Sequence, residues 1–242
     1  MADQWLQALA HFALSLKDFA PLLIQGTWVT LQLALLSLLL GLSFGLIGAI
    51  AKLSPVRFWR LCAQLYTTLI RGVPDLVLML MIFYGLQTGL SRLTARLGWE
   101  YIEVAPFSAG VITLGFLYGA SFTETFRGAL LAVPRGQIQA GKALGFTARQ
   151  CFVYLVFPQM MRFALPGLSN NWMVLLKATA LVSIIGLADL VKVAQVAGKS
   201  SQQLLSFLLL TALIYLLLSS ASNTVVRWLE RRYSRGVPEA PR

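Results

Sequence analysis

Long apolar stretches separated by short polar segments dominate this chain. A spanning helix needs about 20 mostly apolar residues, and stretches of that kind run near 27–51, 61–88, 107–133, 165–187 and 204–226. Between the third and fourth lies a polar segment, 134–158, read as a helical connector. The pattern predicts an all-α integral membrane fold, one transmembrane domain over 1–242, with five crossings that put the termini on opposite sides.

Composition agrees with this reading. With 57% hydrophobic residues, 12% charged residues and a mean hydropathy of +0.73, the chain has too little polar surface to cover a soluble globule. Charge then orients it. Lys52, Arg57 and Arg60 follow the first span, Arg127, Arg135, Lys142 and Arg149 follow the third, and Arg227, Arg231, Arg232, Arg235 and Arg242 close the chain. On the other side Lys17, Arg92, Arg96, Lys192 and Lys199 are balanced by Asp3, Asp18, Glu100, Glu103 and Asp189. The N-terminus is therefore expected outside, with 134–158 and the C-terminus cytoplasmic. The net charge of +11 is mostly this topological signal, because the basic residues are dispersed along membrane-flanking loops and form no stripe for nucleic acid. Met1 to Leu16 lacks the basic n-region of a cleaved signal, and is expected to be retained as an interfacial helix with Trp5 and Phe12 against headgroups. Cys62 and Cys151 lack metal-ligand spacing and His11 is the only histidine, so neither a metal site nor a catalytic triad is indicated.

Polar residues inside the apolar stretches are the candidate site. Arg71-Gly72-Val73-Pro74-Asp75 interrupts the second stretch, and each charge at bilayer centre costs roughly 2.5–3.5 kcal/mol on insertion scales. Pro74 removes an amide and clashes with the preceding turn, so a helix is expected to restart at Asp75. Its N-terminus would face either a substrate carboxylate, or Arg71 and Asp75 would pair with each other or with neighbouring helices. Glu124 stands three residues before Arg127 on one helical face, as a substrate contact or as a structural pair. Asn170 and Lys177, seven apart, share a face expected to point at the bundle interior, with Asn171 on the adjoining flank. These three would either meet substrate, with Lys177 balancing Asp75, Glu124 or the substrate carboxylate, or hold the bundle together. Gly41, Gly45 and Gly48 at about one-turn spacing permit close helix contact, with a partner subunit or within the chain.

Gly136 to Ala143 looks like a phosphate-binding loop, but Ala143 stands where a Ser or Thr hydroxyl is needed for Mg²⁺ and no strand precedes it. Nucleotide hydrolysis is therefore assigned to another polypeptide. The segment Gln139-Ala140-Gly141, three residues, Gly145, nine residues, then Leu155-Val156-Phe157-Pro158 instead resembles, in spacing more than identity, the EAA loop of ABC importer permeases. That resemblance implies two short helices, bent at a glycine, that dock in a cleft of a cytoplasmic ATPase. It gives coupling roles to Gln139, Ala140, Gly141, Gly145, Arg149 and Pro158. Further segments widen the match: Arg71-Gly-Val-Pro-Asp-Leu-Val-Leu-Met-Leu80, Ile112–Gly119, Thr123–Ala129, Leu165–Trp172 and Leu229–Ser234. Together they resemble the Q-type permease subunits of histidine and lysine/arginine/ornithine importers, over roughly Gly26 to Ser234.

The resemblance implies a type I ABC importer permease of the MetI-like fold in a bacterial inner membrane. Its implied partners are a second homologous permease subunit, two copies of an ATPase that bind ATP and Mg²⁺, and a periplasmic substrate-binding protein. The expected substrate is a basic amino acid, with no cofactor in this chain. Asp75 departs from the apolar residue usual in relatives that carry neutral substrates. Two rivals stand beside this reading: a self-sufficient secondary transporter, which should show an internal inverted repeat, and a structural half whose partner permease holds the substrate.

Overall fold

The computed structural model describes residues 2–100 and 102–233, and every regular element among them is helical. The order is α1 (Ala2–Leu53), α2 (Arg57–Gly72), α3 (Asp75–Leu97), α4 (Pro106–Ala132), α5 (Arg135–Ala143) and α6 (Ala148–Gln150). A π-helical turn, Cys151–Val156, leads into α7 (Phe157–Ala178), then a 3₁₀ segment, Thr179–Ile185, α8 (Leu190–Ser200) and α9 (Leu204–Tyr233).

Four stretches among the described residues are long and apolar enough to cross a membrane: His11–Leu53, Asp75–Leu97, Ala148–Ile185 and Leu204–Tyr233. Five were expected. The expected third crossing forms as a 27-residue helix, α4, but falls outside that set. Its side chains explain why: Leu114, Ala120, Phe122 and Thr123 are fully buried, and a helix wrapped by protein need not look like lipid. The expected second crossing is divided at Gly72–Pro74, as the proline argument requires. Only α3 carries its apolar window. On α2, Arg57, Arg60, Gln64, Thr68 and Arg71 recur at helical spacing on one side, and Leu61, Leu65 and Leu69 are exposed on another.

At 52 residues α1 is about 78 Å long, more than twice the thickness of a bilayer core. The separate interfacial N-terminal helix is thus corrected to an extension of the first crossing. Trp5 lies among side chains outside the description, whereas Phe12 packs edge-on against Phe207 at 5.4 Å. An apolar partner within the chain has taken the ring assigned to headgroups.

The chain forms two compact units, each assembled from separate segments. The first comprises the chain up to Leu38, Asp75–Leu114 and Leu175–Ser219. Its core gathers Leu23, Leu190, Ala194, Ala197 and Phe207, with Phe12, Leu16 and Phe19 around them. Asp189 caps α8 by accepting from the Lys192 amide at 2.9 Å, and Thr30 accepts the Leu190 amide at 3.1 Å.

The second unit comprises Leu39–Pro74, Gly115–Val174 and the chain from Ser220. Here the C-terminal part of α1 lies directly on α4. A Cβ at position 45 would come within 2.5 Å of the Phe122 Cβ and 3.0 Å of its carbonyl carbon, and one at 48 within 2.2 Å of the Thr123 Oγ1. The glycine face is therefore filled by the chain's own α4, which settles the choice against a partner-subunit surface for these residues.

Candidate functional site

One turn beyond Gly48, the same face of α1 presents Lys52, a buried cation. Its Nζ pairs with Glu124 Oε1, and Arg127 Nε donates to Glu124 Oε2 at 2.9 Å. Glu124 is thus held by two cations from two helices. The expected Glu124–Arg127 pair is present, and Lys52 is a third member that sequence reasoning assigned only to topology. Its signal was available: Gly41, Gly45, Gly48 and Lys52 repeat at +4, +3 and +4.

The triad forms one wall of a cavity of about 380 Å³ in the second unit. The opposite wall is the polar side of α2, with Gln64, Thr67, Thr68, Arg71 and Gly72. Arg71 and Glu124, both candidates from sequence, are therefore brought to one cavity. Gln64 and Thr68 are members that the sequence reading overlooked, although their spacing within a supposed apolar stretch marks them as a polar side.

The remaining candidates separate. Asn171 Nδ2 donates to Thr125 Oγ1 at 3.0 Å, linking α7 to α4. This is the interhelical bond foreseen as its structural role. Asn170 is exposed on α7, as is Lys177 near its end. Asp75 is exposed in the first turn of α3, where a carboxylate suits the helix dipole.

The connector folds as a hairpin of short helices. Gly145 takes φ +81°, a conformation that costs an L side chain about 1 kcal/mol or more, and it turns the chain between α5 and α6. Thr147 and Gln150 then close a capping box: Thr147 Oγ1 accepts the Gln150 amide at 3.3 Å, and Gln150 Oε1 accepts the Thr147 amide at 2.8 Å. A Cβ at Gly141 would lie 2.6 Å from the Leu155 Cδ1 and 2.9 Å from the Cys151 Sγ, so that residue lets the two arms meet. The π turn ends two residues before Pro158, whose ring excludes the ordinary bond to the carbonyl four residues back. Gln139, Ala140 and Arg149 are exposed on the hairpin. So are large apolar side chains not anticipated from sequence: Leu144 at 77%, Tyr154 at 66% and Phe152 at 42%. The residues that looked like a phosphate loop are helical from Arg135 to Ala143 and form no such loop.

The family described as "Binding-protein-dependent transport system inner membrane component" matches residues 41–235. The histidine/lysine/arginine/ornithine transport system permease protein HisQ of Salmonella typhimurium is 56% identical over 225 residues, 93% of this chain and 99% of that protein. The arginine ABC transporter permease protein ArtQ of Haemophilus influenzae is 39% identical, over 90% of this chain and 96% of that one. Among solved structures, an amino acid ABC transporter crystallised with histidines superposes with a TM-score of 0.76 at 32% identity, covering 90% of this chain and 97% of that chain.

Proposed function

Because the chain belongs to the family of inner membrane components of binding-protein-dependent transport systems, we propose that it is a permease subunit of an ATP-driven importer of basic amino acids. The observation that carries this is near full-length similarity to permeases named for histidine, lysine, arginine and ornithine transport. In this reading the chain forms half of a translocation path beside a second permease subunit. Two ATPase copies bind ATP and Mg²⁺ in the cytoplasm, and a periplasmic protein delivers the amino acid. The N-terminus lies outside, and the hairpin and C-terminus face the cytoplasm.

The hairpin transmits the work. Its exposed Leu144, Tyr154 and Phe152 seat in the ATPase, while Lys142 and Arg149 supply electrostatic anchorage. Gly141 and the capping box make the arms one rigid piece, so displacement at the tip is delivered to α4 and α7 at its ends. The triad of Lys52, Glu124 and Arg127 joins α1 to α4 and passes the motion on. This chain holds no part of the hydrolysis chemistry.

Two further observations bear on where the substrate sits. Glu124 is already neutralised by two cations, which favours a structural role. Asp75 is exposed and is the candidate for the cationic side chain, and Lys177, also exposed, is the candidate for the substrate's own carboxylate.

Reconstitution with the neighbouring permease, ATPase and binding protein tests the proposal. ATP-dependent uptake of arginine or histidine is expected, together with loss of ATPase co-purification on deletion of 137–145. Uptake by this chain alone on an ion gradient, or ATPase retention without the hairpin, would overturn it. Asp75→Asn should depress uptake of basic substrates; unchanged uptake and unchanged substrate-stimulated ATPase activity would move the substrate site to the partner permease.

A further inference from the structure

The cavity between the polar side of α2 and the ion triad has walls that carry Lys52, Arg71 and Arg127 against Glu124 alone. Three positive charges and one negative leave a net +2, so the cavity repels a basic amino acid and attracts an anion. Glu124 consumes the charge of Lys52, which is buried, and takes only the Nε of Arg127, whose side chain is 38% exposed. Arg71, from the other wall, is exposed and makes no ion pair among the described residues. Two guanidinium groups from different helices thus border one space, with the Thr68 hydroxyl and the Gln64 amide beside them. Paired guanidinium groups suit the several oxygens of a phosphate better than a point charge would.

The outer flank of α2 decides the source of that phosphate. Leu61, Leu65 and Leu69 are 56%, 53% and 63% exposed and adjoin the polar side, with Leu61 and Leu65 next to Thr68 and Gln64 around the helix. Arg57 and Arg60 continue the basic side toward the start of α2. A ligand matching both features has a phosphate at one end and hydrocarbon at the other. We propose that this cavity binds the phosphodiester of an anionic phospholipid, with Arg71 and Arg127 on the phosphate and the acyl chains along Leu61, Leu65 and Leu69. Basic pockets on the cytoplasmic side of membrane helices recognise such headgroups. The inference rests on the chain's place in a membrane and not on which amino acid is carried.

The test is lipid retention by the complete importer, purified from membranes and transferred to nanodiscs of phosphatidylcholine with a small fraction of phosphatidylglycerol. Phosphatidylglycerol bound per complex is read by native mass spectrometry, without any transport assay, so failure of the substrate reading leaves this result interpretable. Arg71→Gln is expected to lower retention at least fivefold, and Arg71→Lys to restore much of it. Leu65→Gln should also lower it, by removing hydrocarbon contact without touching charge. Equal retention by the parent and Arg71→Gln complexes overturns the site. So does displacement of the lipid signal by millimolar inorganic phosphate with no effect of Leu65→Gln, which would make it a free-phosphate site.

Discussion

The two halves of α1 solve the same packing task in opposite ways. Its N-terminal half packs within the first unit through large apolar groups, with Phe12 and Phe19 edge-on to Phe207 and Leu23 in the same cluster. Its C-terminal part meets α4 through three glycines and ends at an ion triad built on the buried Lys52. Aromatic packing is broad and adapts to a changed side chain by small shifts. Backbone-close packing has no slack, and an ionic end has no apolar substitute for a lost partner. Tolerance to substitution should therefore differ sharply along one continuous helix.

The largest effect is expected at the ionic end. Lys52→Met leaves Glu124 with Arg127 alone and should destabilise the subunit by roughly 3–5 kcal/mol, read as a lowered unfolding midpoint of the purified complex. Adding Glu124→Met should recover most of that loss, since the charge then left without a partner is Arg127, whose side chain is 38% exposed to solvent. If the double variant is no better than the single one, the triad is not a coupled unit.

Next comes the glycine seam. Gly45→Ala drives a methyl against the Phe122 Cβ and carbonyl carbon, and should cost about 1–3 kcal/mol. Phe207→Leu, at the aromatic end, should cost about 1.5 kcal/mol or less. Equal sensitivity at the two positions would erase the contrast. Gly145→Ala sets an L residue at φ +81° and should cost about 1 kcal/mol locally. Its sharper readout is ATPase affinity in pull-down, which should fall while the global midpoint moves little.

A pH dependence is expected in the first unit. Asp189 is fully buried and its Oδ2 has no hydrogen-bond partner among the described residues. Burial pushes its carboxyl up from 3.8 to about 6. The folded chain thus binds the proton more readily than the unfolded one. The stability this contributes is complete below about 3.8 and is lost as pH rises through about 6. Asp189→Asn, which keeps an oxygen for the Lys192 amide, should flatten the midpoint between those values in a pH series. A slope that survives the exchange assigns the effect to another group.

Much of this was legible in sequence. The helix break at Gly72–Pro74 follows from proline's missing amide and ring clash, and the bend at Gly145 is the one implied by the connector's resemblance to the EAA loop. The pairing of Glu124 with Arg127 follows from helical periodicity. Other features were hidden because average hydropathy does not record direction. Summed over a window, α2 looked like part of a crossing, whereas its arginines gather on one side. Likewise the segment of α4 was counted with the other crossings, whereas its side chains are largely buried by protein.

Sequence by itself determined the helical, membrane-embedded class, the places where helices stop, and the family of transport subunits, because these depend on local chemistry and on residue order. Only tertiary structure decided that Lys52 reaches Glu124 across 72 positions, that the glycine face is closed by α4, and that Arg71 shares a cavity with Arg127. Each of those depends on which helix faces which. That choice is made by packing shape and by the cost of leaving a charge unpaired, and neither is written in any one segment.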